Sequence, residues 1–239
     1  MKFRGLLLFC LCFQMYCLAQ ERKVICFVDY GIGISNFLGK GANHNGYMVG
    51  TIPVENAYTH NPFGKKIKVA LSAGFSAQIK IKKKSGLIAT LEFLKLGSRL
   101  NLDGVTYPIR PEIVRPANGT TAITANEISL AMSGYQKAGN TRAGSTYFMY
   151  GLVYSHMVYI HENGRAIDYT RTGEFISDIA HKKQNYVQLQ TGLMADVYRF
   201  RFGLQYRIAL NGLKNTVLNN EDRIRPQSLL IKISYLLFE

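Results

Sequence analysis

Residues 199–211 restrict what this chain can fold into more than any other segment, because apolar residues alternate there without a break with polar or small ones. At about 3.3 Å per residue and a tilt near 45°, a strand of this length rises roughly 30 Å, enough to cross the hydrocarbon core of a bilayer. A period of two predicts a β-strand with one apolar and one polar face. The apolar side chains occupy the even positions: Phe200, Phe202, Leu204, Tyr206, Ile208 and Leu210.

The N-terminus has the pattern of a secretory signal peptide. An apolar run at residues 6–13 follows a basic start, and the small residues Cys17 and Ala19 stand at the positions that signal peptidase recognises. We expect residues 1–19 to be cleaved, which leaves residues 20–239 as one domain. An uncleaved N-terminal anchor is the alternative, although the apolar run is short for a membrane span.

Net charge predicts the partners of this chain, and cysteine content predicts whether it has disulfides. The formal net charge is +14, and loss of Lys2 and Arg4 with the signal peptide leaves 27 basic against 15 acidic residues, a net charge of +12. For an exported chain this predicts contact with anionic lipid headgroups and lipopolysaccharide, and not with nucleic acid. Cys26 alone remains of four cysteines after cleavage, so we expect no internal disulfide.

The remaining chain reads as eight strands whose connections alternate between long and short. The second long connection carries Pro108, Pro111 and Pro116, which exclude a central strand there. Bacterial outer-membrane barrels have an even strand number, long extracellular loops and short periplasmic turns. The sequence therefore predicts an all-β fold, an eight-stranded antiparallel up-and-down transmembrane β-barrel of that topology. The predicted strands are 24–36, 67–81, 87–98, 123–135, 146–160, 186–198, 199–211 and 227–238. The predicted long connections are 38–64, 101–121, 162–184 and 212–225, and the predicted short turns are 82–86 and 137–140.

The chain resembles the small outer-membrane β-barrel proteins of Bacteroidetes, a family sometimes called PorT-like. The resemblance is carried by the signal end Leu18-Ala19-Gln20, the opening strand Tyr30-Gly31-Ile32-Gly33-Ile34 and an aromatic-bearing terminal strand. It extends over essentially the whole mature chain. It implies the barrel fold and, as in some relatives, a part in protein secretion across the outer membrane. It implies no catalytic residues.

A membrane barrel turns its apolar face outward, whereas a soluble lipocalin-like barrel turns it inward around a ligand. Gly, Ala, Ser and charged residues crowd the polar faces here, as a narrow lumen filled by side chains requires. We expect buried cations and carboxylates to pair inside as a structural network. A polar conduction path is the alternative. The expected cations are Lys68, Lys80, Arg199, Arg201, Arg207 and Lys232, and the expected carboxylates are Asp29, Glu92, Glu127 and Asp196.

Other residue groups give no catalytic, metal or cofactor site by this reasoning. Ser155 and His156 resemble parts of a nucleophilic site, but neighbours on a strand face opposite ways. His161 and Glu162 lie at a strand end, where catalysis is the minor alternative. The run Lys82-Lys83-Lys84 is best read as a solvated turn. Three further histidines are too far apart to indicate a metal site by spacing: His44, His60 and His181. Five tyrosines are expected at the membrane interfaces: Tyr30, Tyr147, Tyr186, Tyr198 and Tyr235.

These observations predict an integral outer-membrane protein that is not an enzyme. Its loops would provide a surface for binding, for secretion accessory work or for envelope structure, with other envelope or secretion proteins as further partners. One alternative is an exported soluble lipocalin-like barrel that binds an apolar ligand. The other is an outer-leaflet lipid-modifying enzyme.

Overall fold

The structure, a computed structural model, describes residues 24–50, 57–107, 110–141, 144–170, 173–215 and 220–238. The predicted signal peptide lies outside these ranges. The described residues include no helix that is long and apolar enough to cross a membrane. They contain twelve strands: β1 (Val24–Leu38), β2 (Asn45–Val49), β3 (Tyr58–Thr59), β4 (Lys66–Lys82), β5 (Ser85–Tyr107), β6 (Arg110–Thr141), β7 (Gly144–Asp168), β8 (Glu174–Ala180), β9 (Asn185–Val197), β10 (Phe200–Ala209), β11 (Leu213–Asn215) and β12 (Asn220–Phe238).

Eight of these strands pair in a closed antiparallel ring. The order around the ring is β1, β4, β5, β6, β7, β9, β10, β12 and back to β1. β12 pairs with β1 from Phe238 opposite Cys26 to Arg225 opposite Leu38. Closure satisfies the backbone of both strands that would otherwise be edges. The ring agrees with the predicted number of eight strands.

The predicted faces are confirmed along the ring strands. The outward side chains of mid-strand are apolar and between 45% and 60% exposed, and together they form what we call the apolar belt: Ile32, Phe75, Leu91, Leu130, Leu152, Leu193, Leu204 and Ile231. The inward side chains are polar or small and buried: Asp29, Ser72, Glu92, Ser129, Ser155, Gln190, Arg207 and Lys232.

Two apolar clusters fill the lumen on either side of the polar layer. The loop-end cluster lies toward the long connections and includes Phe37, whose ring packs edge-on against Phe63 at 5.2 Å between centroids. The turn-end cluster lies toward the short turns and consists of Ile88, Tyr135, Met149 and Met194. An eight-stranded ring has room for side chains only, and here they occupy it at three levels.

β5, β6 and β7 continue beyond the ring and carry three further strands. β2 pairs parallel to β5, β3 pairs with β2, and β8 pairs with β7. We call the six-stranded surface in the order β3, β2, β5, β6, β7, β8 the outer sheet. Its own core includes Met48, Leu100 and Phe175.

The outer sheet corrects the first three predicted long connections, which hold β2 and β3, the ends of β5 and β6, and the end of β7 together with β8. Residues 101–107 and 110–121 are strand, and Pro116 lies opposite Gly104 next to a register shift. β7 pairs with β6 only from Ala117 onward, so Pro116 is at a strand edge, where a missing N–H is tolerated. Pro108 lies outside the described residues.

One of the two predicted short turns, 82–86, is confirmed, and the adjacent predicted strands 186–198 and 199–211 are joined directly as expected. Lys83 and Lys84 connect β4 to β5, and Tyr198, with φ of 54°, helps to connect β9 to β10. The predicted turn at 137–140 is wrong, because Lys137, Gly139 and Asn140 pair with β7 across a register shift. A bulge there accommodates the glycine within the ladder. β6 and β7 instead remain paired as far as Thr141 opposite Gly144.

Candidate functional site

The centre of the lumen holds a buried ionic network. Arg207 Nη2 lies 2.5 Å from Glu92 Oε2, and Lys232 Nζ contacts Glu92 Oε1. Gln190 Oε1 accepts a further hydrogen bond of 2.6 Å from Arg207 Nε. All of these side chains are buried, so each charge is neutralised where water is scarce. The network confirms the predicted pairing of Arg207 and Lys232 with a carboxylate.

A second predicted ion pair lies nearer the turn end. Arg201 donates to both Asp196 oxygens, from Nε at 2.6 Å and from Nη2 at 3.0 Å. Its Nη2 also donates to Gln78 Oε1 at 2.5 Å. The guanidinium lies over the ring of Phe27 at 4.1 Å from the centroid. This bidentate geometry fixes the Arg201 side chain across the lumen.

Glu127 is lumenal as predicted, but its contacts are hydroxyl and amide groups. Tyr186 OH donates to Oε2, and Gln188 Nε2 donates to Oε1 at 3.2 Å. Ser155 Oγ lies 3.4 Å from Oε1. Tyr186 is therefore a buried lumenal residue, and its predicted place at a membrane interface is wrong. Its position precedes Val187 in the alternation, which directs its side chain inward.

Six more predicted positions need comment, and the predicted lumenal place of Lys80 and Arg199 is wrong. Lys80 and Arg199 are exposed near the turn end, where the strands run out of the lumen. Tyr147 faces inward and packs edge-on against Tyr135, at 5.5 Å between centroids. Three of the five interface tyrosines are exposed on the outer surface, in agreement with the prediction: Tyr30, Tyr198 and Tyr235.

Lys68 is not part of the lumenal network. The β4–β5 register shifts between Ile67 and Leu71. From this irregularity Lys68 Nζ reaches Thr124 Oγ1 at 2.5 Å. The neighbours of Thr124 in the strand belong to the loop-end cluster, so Thr124 itself faces away from the lumen. The predicted lumenal place of Lys68 is therefore wrong.

Ser155 and His156 face opposite sides of β7, as strand geometry requires. Ser155 Oγ accepts a hydrogen bond of 2.7 Å from Gln188 Nε2 inside the lumen. His156 Nδ1 lies 2.5 Å from Asn185 Oδ1 on the exposed side. The two groups do not form a nucleophile and base pair.

Glu162 forms a buried polar centre in the outer sheet. Its Oε1 accepts a hydrogen bond of 2.9 Å from Thr59 N and another from Ser177 Oγ. His181 Nε2 lies 3.1 Å from its Oε2. Burial raises the pKa of Glu162, but the hydrogen bonds from His181, Ser177 and Thr59 outweigh it and hold the pKa below its ordinary value. One carboxylate thus ties β3, β7 and β8 together.

The tip of the outer sheet contains a second tied carboxylate. Asp168 accepts hydrogen bonds of 2.7 Å from both Thr170 N and Thr170 Oγ1, and one of 2.8 Å from Tyr107 OH. These bonds, aided by the charge of Arg115, outweigh burial and lower the pKa of Asp168. The arrangement fixes the end of β7 against the end of β5.

The histidines do not converge. His44 is exposed, His60 stacks on Tyr47 at 4.7 Å, and His181 contacts Glu162. His161 Nε2 pairs with Asp178 at 2.6 Å on the outer surface. Within the described part of the chain, no group of three or more His, Cys, Asp or Glu side chains could hold a metal ion.

No family model and no curated protein matches the chain. Several solved structures are similar. Ail, the attachment invasion locus protein of Yersinia pestis, in complex with the heparin analogue sucrose octasulfate, has 8% identity and a TM-score of 0.40, covering 90% of this chain and 99% of its own. Neisserial surface protein A has 10% identity and a TM-score of 0.40, covering 88% and 96%. A FadL homologue of Pseudomonas aeruginosa has 9% identity and a TM-score of 0.20, with 90% coverage of each chain. These values assign no family.

Proposed function

We propose that this protein is an integral protein of the bacterial outer membrane that acts through its outer sheet as a binding surface. The observation that carries this proposal is the apolar belt, which is present on all eight ring strands while the polar side chains are buried inside. An apolar surface around the whole circumference suits a hydrocarbon surrounding, and a closed ring leaves no strand edge unpaired within it. The predicted signal peptide would supply export.

The outer sheet supports a role outside the membrane. β5 extends from Lys95, just past the belt, to Tyr107, which is roughly 40 Å of strand at about 3.3 Å per residue. The tip of the outer sheet exposes apolar side chains that are far from the belt: Ile113, Val114, Ile167, Tyr169 and Ile176. Exposed apolar groups that lie away from the lipid are typical of protein contact surfaces. Binding, secretion accessory work and envelope structure are the roles we propose for it, with envelope or secretion proteins as partners.

The PorT-like assignment and the absence of enzymatic activity belong to the same proposal. The lipocalin-like alternative is less well supported, because the buried face carries charge and amide groups where an apolar ligand would need an apolar pocket. The outer-leaflet enzyme alternative is weakened by the opposite orientations of Ser155 and His156.

Fractionation and gel mobility test the membrane location. The chain is expressed with its signal peptide, outer membranes are isolated, and boiled and unboiled samples are compared on a denaturing gel. We expect an outer-membrane band that migrates faster when unboiled, since a closed barrel resists detergent. A periplasmic protein without a mobility shift would contradict the proposal and favour the lipocalin-like alternative.

Cysteine labelling tests which end faces outward. In a Cys26→Ser background, Asp103→Cys places a thiol on the outer sheet and Lys83→Cys places one at the turn end. A membrane-impermeant maleimide should label only the Asp103→Cys variant in intact cells, and both variants after lysis. Labelling of Lys83→Cys alone in intact cells would reverse the orientation.

A further inference from the structure

Three cations converge on the outward surface just beyond the apolar belt. Lys95 and Arg99 are exposed on β5, and Gly97 lies between them on the same face. Lys68 crosses β5 there: its Cδ lies 2.9 Å from the point where a Cβ on Gly97 would be. The charges of Arg99 and Lys95 both act on the Lys68 ammonium. We call Lys68, Lys95 and Arg99 the rim cations.

The rim cations have no acidic partner among the described residues, where every ion pair involves other side chains. β7 is the next strand beyond β6, and it carries His161 opposite Thr124. The nearby carboxylate of Asp178 is already paired with His161. Three like charges at one place repel one another, so this arrangement costs free energy in the protein by itself. An anion bound between the three cations would attract each of them and offset their mutual repulsion.

The surface directly below the rim cations is apolar. Phe93 precedes Lys95 on the outward face of β5, and Val69 and Leu71 are exposed on the neighbouring β4. A ligand that matches both surfaces has an anionic headgroup and hydrocarbon chains. Arg and Lys at the level of lipid headgroups attract anionic lipids, and a guanidinium binds phosphate through two hydrogen bonds.

We propose that the rim cations form a binding site for the phosphorylated headgroup of an outer-leaflet lipid, whose acyl chains lie along β4 and β5. This inference rests on the proposed membrane location of the belt. Lys68 and Arg99 contact the phosphate from the β4 side and from the loop end, and Lys95 contacts it from below. Thr124, which holds the Lys68 ammonium in place, positions that cation.

Native mass spectrometry measures lipid binding at this site, with the mature chain folded in a zwitterionic detergent. The probe is bisphosphorylated lipid A, and dephosphorylated lipid A is the comparison ligand. We expect the wild type to retain the phosphorylated lipid in preference to the dephosphorylated one. Lys95→Glu combined with Arg99→Glu should weaken its binding by more than thirtyfold, because loss of the two cations alone accounts for about thirtyfold and the new carboxylates add repulsion.

The matched control is Lys182→Glu combined with Lys183→Glu, an equal change of charge at two exposed positions of the loop end. It should change binding by a few-fold at most. An equal loss in this control, or no loss in the Lys95/Arg99 variant, would overturn the site. Displacement of the lipid by inorganic phosphate alone would also overturn it, because the acyl chains would then contribute nothing.

The gel mobility shift separates this inference from the proposed function. If the charge-reversal variant loses the shift, Lys95→Gln combined with Arg99→Gln removes the same charges with less repulsion and takes its place. A wild type that is heat-modifiable but binds both lipids equally would refute the lipid site and leave the membrane location intact. A wild type that does not insert into membranes would refute both.

Discussion

At the residue scale, Glu162 is the side chain on which the outer sheet depends most directly. Its charged form accepts hydrogen bonds from β3 and β8 and contacts His181. Its pKa in the folded protein lies below the ordinary value of 4.5. A lowered carboxyl pKa stabilises the folded state above the unfolded value, and that stability is lost as the pH falls through the folded value. The outer sheet should therefore loosen in acid, below pH 4.5.

Hydrogen exchange at the Thr59 amide checks this prediction, after correction for the intrinsic pH dependence of exchange. Protection should be high at pH 6 and fall below pH 4.5, because the protonated carboxyl no longer holds the amide as strongly. Glu162→Gln should have low protection at both pH values. Glu174→Gln, at an exposed carboxylate of the same sheet, should behave like the wild type. Equal protection of the Thr59 amide in the wild type and in Glu162→Gln at pH 6 would contradict the role of Glu162.

The position of Glu162 could not be predicted from the sequence, and the reason is one extra residue. Inward positions of β7 are odd-numbered up to Met157 and even-numbered from Ile160 onward. The change occurs at a bulge, where Glu127 pairs with Met157 and Asn126 with Tyr159. Alternation alone places Glu162 outward. Continued alternation of small and large residues to Asp168 was a signal that the strand extends, but it does not locate the bulge.

At the element scale, the ring strands were predictable because the alternation within each strand's own sequence shows which side chains lie on which face. Alternation is local, and it identified both the strand and its outward side in β4, β9 and β10. The outer sheet depends instead on pairing between distant segments, such as the parallel pairing of β2 with β5. Gly, Asn and Pro in these segments are typical of loops, and only tertiary contacts make them strands.

A pair of substitutions in β10 tests the assigned faces. Leu204 is exposed in the belt and Gln205 is buried in the lumen. Leu204→Arg should cost roughly 2–4 kcal/mol if this position meets lipid at mid-depth, so the heat-modifiable band should be lost or weakened. Leu204→Val keeps the face apolar and should preserve the band. If Gln205→Leu proves more disruptive than Leu204→Arg, the faces are reversed.

At the scale of the whole molecule, the three filled levels of the lumen determine whether ions can pass. The turn-end cluster, the ionic network of Glu92, Arg207 and Lys232, and the loop-end cluster succeed one another along the axis. The network was predictable as a set of inward charges, and all three of its members, Glu92, Arg207 and Lys232, were identified. The loop-end cluster was not, since Phe63 reaches the lumen from a segment that reads as a loop and Phe37 lies one residue beyond the predicted end of the first strand.

Planar-bilayer recording tests whether the lumen is closed. We expect no regular single-channel steps from the folded protein, because an ion would have to pass two apolar constrictions and a layer in which every cation already has a carboxylate or amide partner. Phe37→Ala combined with Phe63→Ala removes aromatic rings from the loop-end cluster only. It should also remain closed, since the turn-end cluster is intact. Reproducible ohmic steps from the wild type would favour the conduction path over the structural network. Steps from the Phe variant alone would mean that the loop-end cluster is the single barrier, and that the lower lumen is wide enough for hydrated ions.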